Sequence, residues 1–201
     1  MRNIWLTADT HVGDREVLHR GPGRPFATIE EHDEALVERW NAVVRPDDVV
    51  WHLGDVAASI PAMERFVPRL NGHKILVAGN RDQCWSAHPV QLRRMGLIVK
   101  TARYKAAGFE RIYDSGVAYG ERIAGTLVVL SHLPAHDGTT QQRFAQQRPR
   151  PRGIPVVCGD VHHLWRTLDD QVNVGVDVWG YQPVHADEIA DLLARATSLA
   201  A

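Results

Sequence analysis

The sequence predicts an α/β fold of two sheets with helices on their outer faces. Three observations lead there. Up to Asn80 the chain runs strand, helix, strand, helix, strand, with short apolar runs alternating with amphipathic stretches. Beyond Phe109 the pattern changes to a period of two, the mark of antiparallel strands. A final amphipathic stretch, Ala186 to Ala196, closes the chain with Ile189, Leu192 and Leu193 on one face.

The elements follow in order. Asn3 to Ala8 is the first strand. Thr28 is placed to cap the first helix, with Glu31 three residues on as its capping-box partner. Ala35, Leu36 and Val43 form that helix's apolar stripe, and Pro46 stops it. Asp48 to His52 is a buried strand leading into Leu53-Gly54-Asp55. Ser59 caps a second helix with Pro61 in its first turn, running to about Leu70. Asn71-Gly72 turns the chain into a third strand, Lys74 to Ala78. Phe109 to Tyr119 and Arg122 to Leu130 are expected to pair through a turn at Tyr119-Gly120-Glu121. Ile154 to Cys158 and Gln171 to Val178 are the last two strands. No linker divides residues 1–201, so one domain is expected.

Composition narrows the function classes. The chain is 44% hydrophobic and 23% charged with a formal net charge of -1, so no global basic field announces nucleic acid or an anionic membrane. No apolar stretch is long enough to span a bilayer. The first residues enter a strand at once, leaving no room for a signal peptide. Cys84 and Cys158 form no spacing motif and read as free thiols. A cytoplasmic setting is the resulting expectation.

Chemistry concentrates at the strand ends. Asp9 and His11 follow the first strand, Asp55 the second and Asn80-Arg81-Asp82 the third, while His132 and Asp160-Val161-His162 follow later apolar runs. A sheet gathers such ends at one edge, where open α/β sheets place their sites. Imidazole, carboxylate and amide oxygens suit divalent ions of the Zn, Mn and Fe type. Taken singly, an Asp after a strand is a turn former and a lone His a packed or surface residue. Five such clusters together point to one site.

The ordered set Asp9-x-His11, Gly54-Asp55, Gly79-Asn80, His132 and Gly159-x-x-His162 resembles the calcineurin-like metallophosphoesterase superfamily. The tail Asn173-Val174-Gly175-Val176-Asp177-Val178-Trp179-Gly180-Tyr181-Gln182-Pro183-Val184 is similar to a small bacterial and phage branch of it. The resemblance covers almost the whole chain. It implies a four-layer α-β-β-α sandwich, two mixed sheets flanked by helices, with a binuclear site at one edge. It assigns Asp9, His11 and His162 to a first ion, Asp55 to a bridge, and Asn80 and His132 to a second ion. The implied activity is hydrolysis of a phosphodiester or phosphomonoester by a hydroxide held between ions about 3.5–4 Å apart. The implied cofactors are two divalent ions, Mn first, with Fe, Zn, Mg or Ni as alternatives.

Two positions depart from the family pattern. Arg81 stands where a His is usual. It gives up general acid catalysis, typically worth ~10²–10⁴-fold, but can clamp phosphoryl oxygens. Asp160 stands where a second His ligand is usual, and its harder oxygen favours Mn or Mg over Zn. The added negative charge of Asp160 and the positive charge of Arg81 would offset one another. The rival is an Arg81–Asp160 salt bridge that displaces the second ion. Asp82 either orients Arg81, as part of the catalytic set with Arg81 and Asp55, or closes a turn.

Other residues carry weaker readings. His136 and His163, with Asn80 and Arg81, are candidate substrate contacts. His52 is a partner behind the ligands or a packed strand histidine. Arg143, Arg148, Arg150 and Arg152 form a solvated loop, or a lid on phosphate or nucleic-acid backbone. Trp51, Trp165 and Trp179 stack on a base or pack in the core. Arg20 and Arg24 flank a Gly/Pro loop within reach of substrate. The expected partner is a phosphoester, a nucleotide or other small molecule. A nuclease acting on DNA or RNA, or a weakened phosphoester-binding protein, are the alternatives. No membrane partner is expected, and the sequence does not read out an oligomeric state.

Overall fold

A computed structural model describes residues 2–87, 94–139 and 143–199. The first sheet has the order β10-β1-β2-β3-β4. Strands β1 (Ile4–Thr7), β2 (Val49–His52), β3 (His73–Val77) and β4 (Phe109–Tyr113) run parallel, and β10 (Val184–His185) is antiparallel to β1. The second sheet has the order β5-β6-β7-β9-β8. There β6 (Thr126–Ser131), β7 (Val156–Cys158) and β9 (Gln171–Asn173) are parallel, flanked by antiparallel β5 (Val117–Ile123) and β8 (Thr167–Leu168). The fold is thus α/β with two mixed sheets, as the sequence predicts.

Local chemistry sets the helix ends. The Thr28 hydroxyl accepts from Glu31 N ahead of α1 (Ile29–Val43), and Glu31 reaches back one residue further than a capping box requires, to Ala27 N at 2.8 Å. Ser59 caps α2 (Ile60–Phe66). Pro68, which has no N–H, tightens the following Val67–Arg69 into a 3-10 turn, so the α-helix stops short of Leu70. Helix α3 (Arg94–Ala107) is not anticipated by the sequence pattern. Its Ile98 and Val99 face solvent while Tyr104 and Ala107 are buried, so its apolar residues show no single stripe.

The hairpin is corrected. Phe109 to Tyr119 is not one strand: β4 stays in the first sheet and β5 begins the second. The β5–β6 turn lies at Ala124-Gly125, both at positive φ (46° and 83°), as two-residue hairpin turns favour. Gly120 instead sits in a register shift within β5. The expected last strand is also shorter. β9 ends at Asn173, Gly175 bridges to Ala8, and Val176–Val178 forms a 3-10 turn.

Side-chain alternation divides the core. Outward residues Val50 and Leu76 of the first sheet pack under α1, α2 and α3 with Leu36, Trp40, Met63, Phe66 and Tyr104. Inward residues Leu6, Trp51, Leu53 and Val77 meet Leu130, Val157 and Val172 of the second sheet. Helix α4 (Ala186–Leu199) adds Ile189 and Leu193 to that inter-sheet layer and touches strands of both sheets. Val129, Val156 and Cys158 on the second sheet's other face pack with Ala135, Ile154 and Trp165. Among the described residues no helix is long and apolar enough to cross a membrane. The parallel strands of both sheets end at the edge where the Asp, Asn and His clusters follow.

Candidate metal centre

Main-chain hydrogen bonds lace the strand-end loops together. Asp9 N donates to Gly54 O and His11 N to Asp55 O, each at 3.0 Å, and Gly159 N donates to His132 O at 2.9 Å. Asp160 N donates to the Asp9 carboxylate at 3.0 Å. Packing here is close: a Cβ at Gly79 would stand 2.3 Å from Asp55 Oδ1, so only glycine lets the β3 loop approach Asp55. Asp9, His11, Asp55, Asp160 and His162 all have φ between 49° and 68°. That left-handed backbone is tolerated best by Asn, Asp and His, and costs roughly 1–3 kcal/mol per residue.

The donors converge in two sets, Asp9–His11–His162 and Asp9–Asp55–His132. Asp55 turns one oxygen to each side: Oδ2 lies 3.6 Å from His11 Nε2 and Oδ1 3.5 Å from His132 Nε2. Asn80 Oδ1 is 3.0 Å from His132 Nε2, and Asp160 Oδ1 is 3.7 Å from the same nitrogen. His11 is 1% exposed, yet neither ring nitrogen has a hydrogen-bond partner; Asp9 Oδ1, on a fully buried residue, also lacks one. Buried polar atoms without partners are costly. A cation held by imidazole and carboxylate would satisfy Asp9 Oδ1 and one ring nitrogen of His11, so these residues fit divalent metal.

The electrostatics agree with that fit. Burial pushes the Asp9 carboxyl up to about 7 and raises Asp55 as well. Burial also holds His11 well below the usual imidazole range, so it is neutral and available as a ligand. Burial works against protonation of His132, but the Asp55, Asp9 and Asp160 carboxylates outweigh it and lift His132 to about 9. Without a cation, the cluster takes up protons to balance its carboxylates.

Around the donors runs a supporting network. Arg24, 4% exposed, donates to both Asp177 oxygens at 2.9 Å and to the carbonyls of Thr10 and Asp9 at 3.0 and 2.6 Å. Asp177 in turn holds His162 Nδ1 at 3.0 Å, the second-nitrogen contact that fixes a ligand histidine's orientation. Asp82 is fully buried and accepts from the backbone of Asp55, Val56 and Gly79 at 2.8–3.1 Å. His52 accepts from Gly54 N at 3.2 Å through Nδ1, so its Nε2 carries the proton facing the Thr10 hydroxyl at 3.0 Å.

No family model matches the chain. It is 33% identical to the Gene 66 protein of Mycobacterium phage L5, over 96% of this chain and 95% of that one. It is 32% identical to the Gene 66 protein of Mycobacterium phage D29, over 96% of each. The chain belongs to the Gene 66 protein family. It is also 25% identical to an uncharacterized protein of Methanocaldococcus jannaschii, over 97% of this chain and 93% of that one. In fold it is similar to the crystal structure of a protein of unknown function from Aquifex aeolicus, with TM-score 0.71 and 23% identity over 96% of this chain and 100% of that one.

In this Gene 66 family chain, all seven residues expected as ligands lie at one sheet edge. Several other expectations need correction. Arg81 does not bridge to Asp160; its guanidinium donates to Asp14 at 2.6 Å, and Asp14 Oδ2 also stands 3.9 Å from His11 Nδ1. Asp82 closes a turn rather than orienting Arg81: it accepts from Gly79 N at 2.8 Å, donates its own N–H to Gly79 O at 3.1 Å, and its carboxylate is used by backbone N–H groups. His136 pairs with Asp169 at 3.2 Å and is not among the converging donors, whereas His163 lines a cavity beside them. Arg24 is a buried clamp, while the Gly/Pro loop that Arg20 and Arg24 flank lines the same cavity as His163. Arg148 is no solvated lid residue: it is 7% exposed and donates to Asp137 at 2.6 Å and Pro134 O at 3.0 Å. Trp51 lies in the core, and Trp179 Nε1 donates to Asn173 O at 2.7 Å. Trp165 packs against the second sheet.

Proposed function

We propose that this chain is a metal-dependent phosphoesterase of the calcineurin-like kind, acting on a phosphodiester or phosphomonoester. The observation that carries the reading is the pair of donor sets sharing Asp9, with Asp55 presenting one oxygen toward each histidine. Asp9, His11 and His162 would hold one ion, Asn80, His132 and Asp160 the other, with Asp55 between them. Two divalent ions, Mn foremost, would supply Lewis-acid activation of the ester and of water.

The chain's own groups do the rest. Arg24 and Asp177 keep His162 aimed inward, and Asp82 fixes the loop that carries Asp55. Arg81, 37% exposed and tethered to Asp14, would clamp phosphoryl oxygens. It cannot donate a proton near neutral pH, so esters with good leaving groups are the favoured substrates. A small-molecule phosphoester fits better than nucleic acid, because the formal net charge is -1 and Arg148, one of the four loop arginines, is buried in its own loop. The buried free thiols Cys84 and Cys158 support a reducing, cytoplasmic setting.

The test is elemental analysis of Mn-loaded protein beside Asp55→Ala, with turnover of an aryl and an alkyl phosphoester on the same samples. The reading expects about two ions per chain and faster aryl turnover, with both activities lost in the variant. No bound metal, or metal with no turnover of either ester, would overturn it.

A further inference from the structure

A cavity of about 180 Å³ opens directly beside the donor cluster. Asp160 and His162, two of the proposed ligands, line it together with Val17, Pro22, Val161 and Leu164. Val17 and Val161 are buried, while Leu164 stands 61% exposed at the rim.

The charged groups on the wall are already engaged. Arg24 and Asp177 bind one another at 2.9 Å, and Arg20 pairs with Glu16 at 2.6 Å. His163 lies against Gly21, where a Cβ would come within 2.5 Å of its ring and the φ of +62° favours glycine. That contact seats the 20–24 loop on the 160–164 loop, and both loops line the cavity. What remains for a ligand is chiefly apolar wall. A cavity of about 150 Å³ lined by aliphatic side chains accepts one benzene ring.

We infer that this cavity receives a single aromatic or heteroaromatic ring, the organic arm of a phosphoester whose phosphoryl group faces the donor cluster. The ring position is carried by the cavity; the phosphoryl position rests on the phosphoesterase reading. The substrate class is therefore an aryl or one-ring heteroaryl phosphoester rather than a simple alkyl one.

Calorimetric titration of the Mn-loaded chain with phenylphosphonate and methylphosphonate, neither of which is hydrolysed, tests the pairing of ring and phosphoryl group. Phenylphosphonate is expected to bind at least tenfold tighter, and Leu164→Trp, which fills the rim at an exposed position, to cut that advantage to threefold or less. Phenol alone, in methyl NMR, is expected to shift the Val17, Val161 and Leu164 resonances. Equal affinity for the two phosphonates with no phenol shifts would overturn the cavity inference and leave the phosphoesterase reading standing. Phenol shifts without binding of either phosphonate would overturn the phosphoryl half alone. Silence of all three ligands would overturn both.

Discussion

His162 is fastened by a run of charged groups, Arg24 to Asp177 to the imidazole, whereas His132 is fastened through Nδ1 by one backbone carbonyl, Leu53 O at 2.8 Å. The two histidines stand on opposite sides of Asp55's cluster, one in each proposed half. Around His162 the neighbours are buried and interlocked: His11 is 1% exposed and stacks on His162 with ring centroids 5.0 Å apart. The His132 side chain is itself 1% exposed against 22% for His162, so what differs is the kind of fastening and not the burial. Arg81 and Asp160 carry none of the His162 fastening: Arg81 bonds Asp14 beside His11, and the Asp160 side chain is 27% exposed. A half built from interlocked charges resists substitution, since removing one member strands another. A half fastened by main-chain contacts leaves no buried charge stranded when a side chain is exchanged.

Variants can break that contrast. The largest effect is expected from Asp177→Ala, which leaves the Arg24 charge buried without its carboxylate. Stability should fall by about 3–5 kcal/mol, seen as a lower urea midpoint, and ion affinity on the His162 side should fall with it. Unchanged metal affinity in folded Asp177→Ala would remove the clamp from the account. Next is Asp82→Ala, which takes the acceptor from the N–H groups of Asp55, Val56 and Gly79 and should cost about 3 kcal/mol. Because those loops serve the shared carboxylate, both ions should be weakened, and a loss confined to one would contradict the assignment.

A control lies at the opposite end of β1 and β2. Asp48 accepts from Asn3 N, Arg45 N and Trp5 Nε1 at 2.9–3.0 Å. Burial opposes its ionisation, but these donors outweigh it and hold the carboxyl at about 2, below the ordinary 3.8. Its stabilisation is complete above the unfolded pKa and is lost as pH falls through about 2. Asp48→Asn should cost about 1–2 kcal/mol at neutral pH, with the gap closing in acid melts and the metal count unmoved. Last in stability is Asp160→Ala, expected to cost about 1 kcal/mol because alanine is strained at its φ of 68°. Elemental analysis should nevertheless find about one ion in place of two; two retained ions would strike Asp160 from the ligand set.

How much of this is legible in the sequence follows the same division. The donors are readable because each comes directly after an apolar run, and the parallel topology must bring such ends together. The fastening is not. Arg24 and Asp177 are separated by 153 positions, and neither stands out locally. Asp14 could have been noticed as a cap ahead of Arg15 and Glu16, but its contact with Arg81 depends on how two loops fold over the sheet edge. Helix α3 hides because its apolar residues lie on more than one side. The hairpin turn is misplaced because Gly120 looks like a turn glycine but sits in a register shift, while Ala124-Gly125 makes the reversal.

The Arg24–Asp177 clamp also sets an order of events during synthesis. A ribosome that has just translated His162 has already supplied every proposed donor, yet not the carboxylate that fastens Arg24 nor the edge strand β10 that flanks β1. A nascent chain at that point carries the full donor list with His162 unanchored. On the proposed reading, ion binding on that side would need Asp177, and a fragment stopped short of it is expected to be a poor chelator despite containing all the proposed ligands.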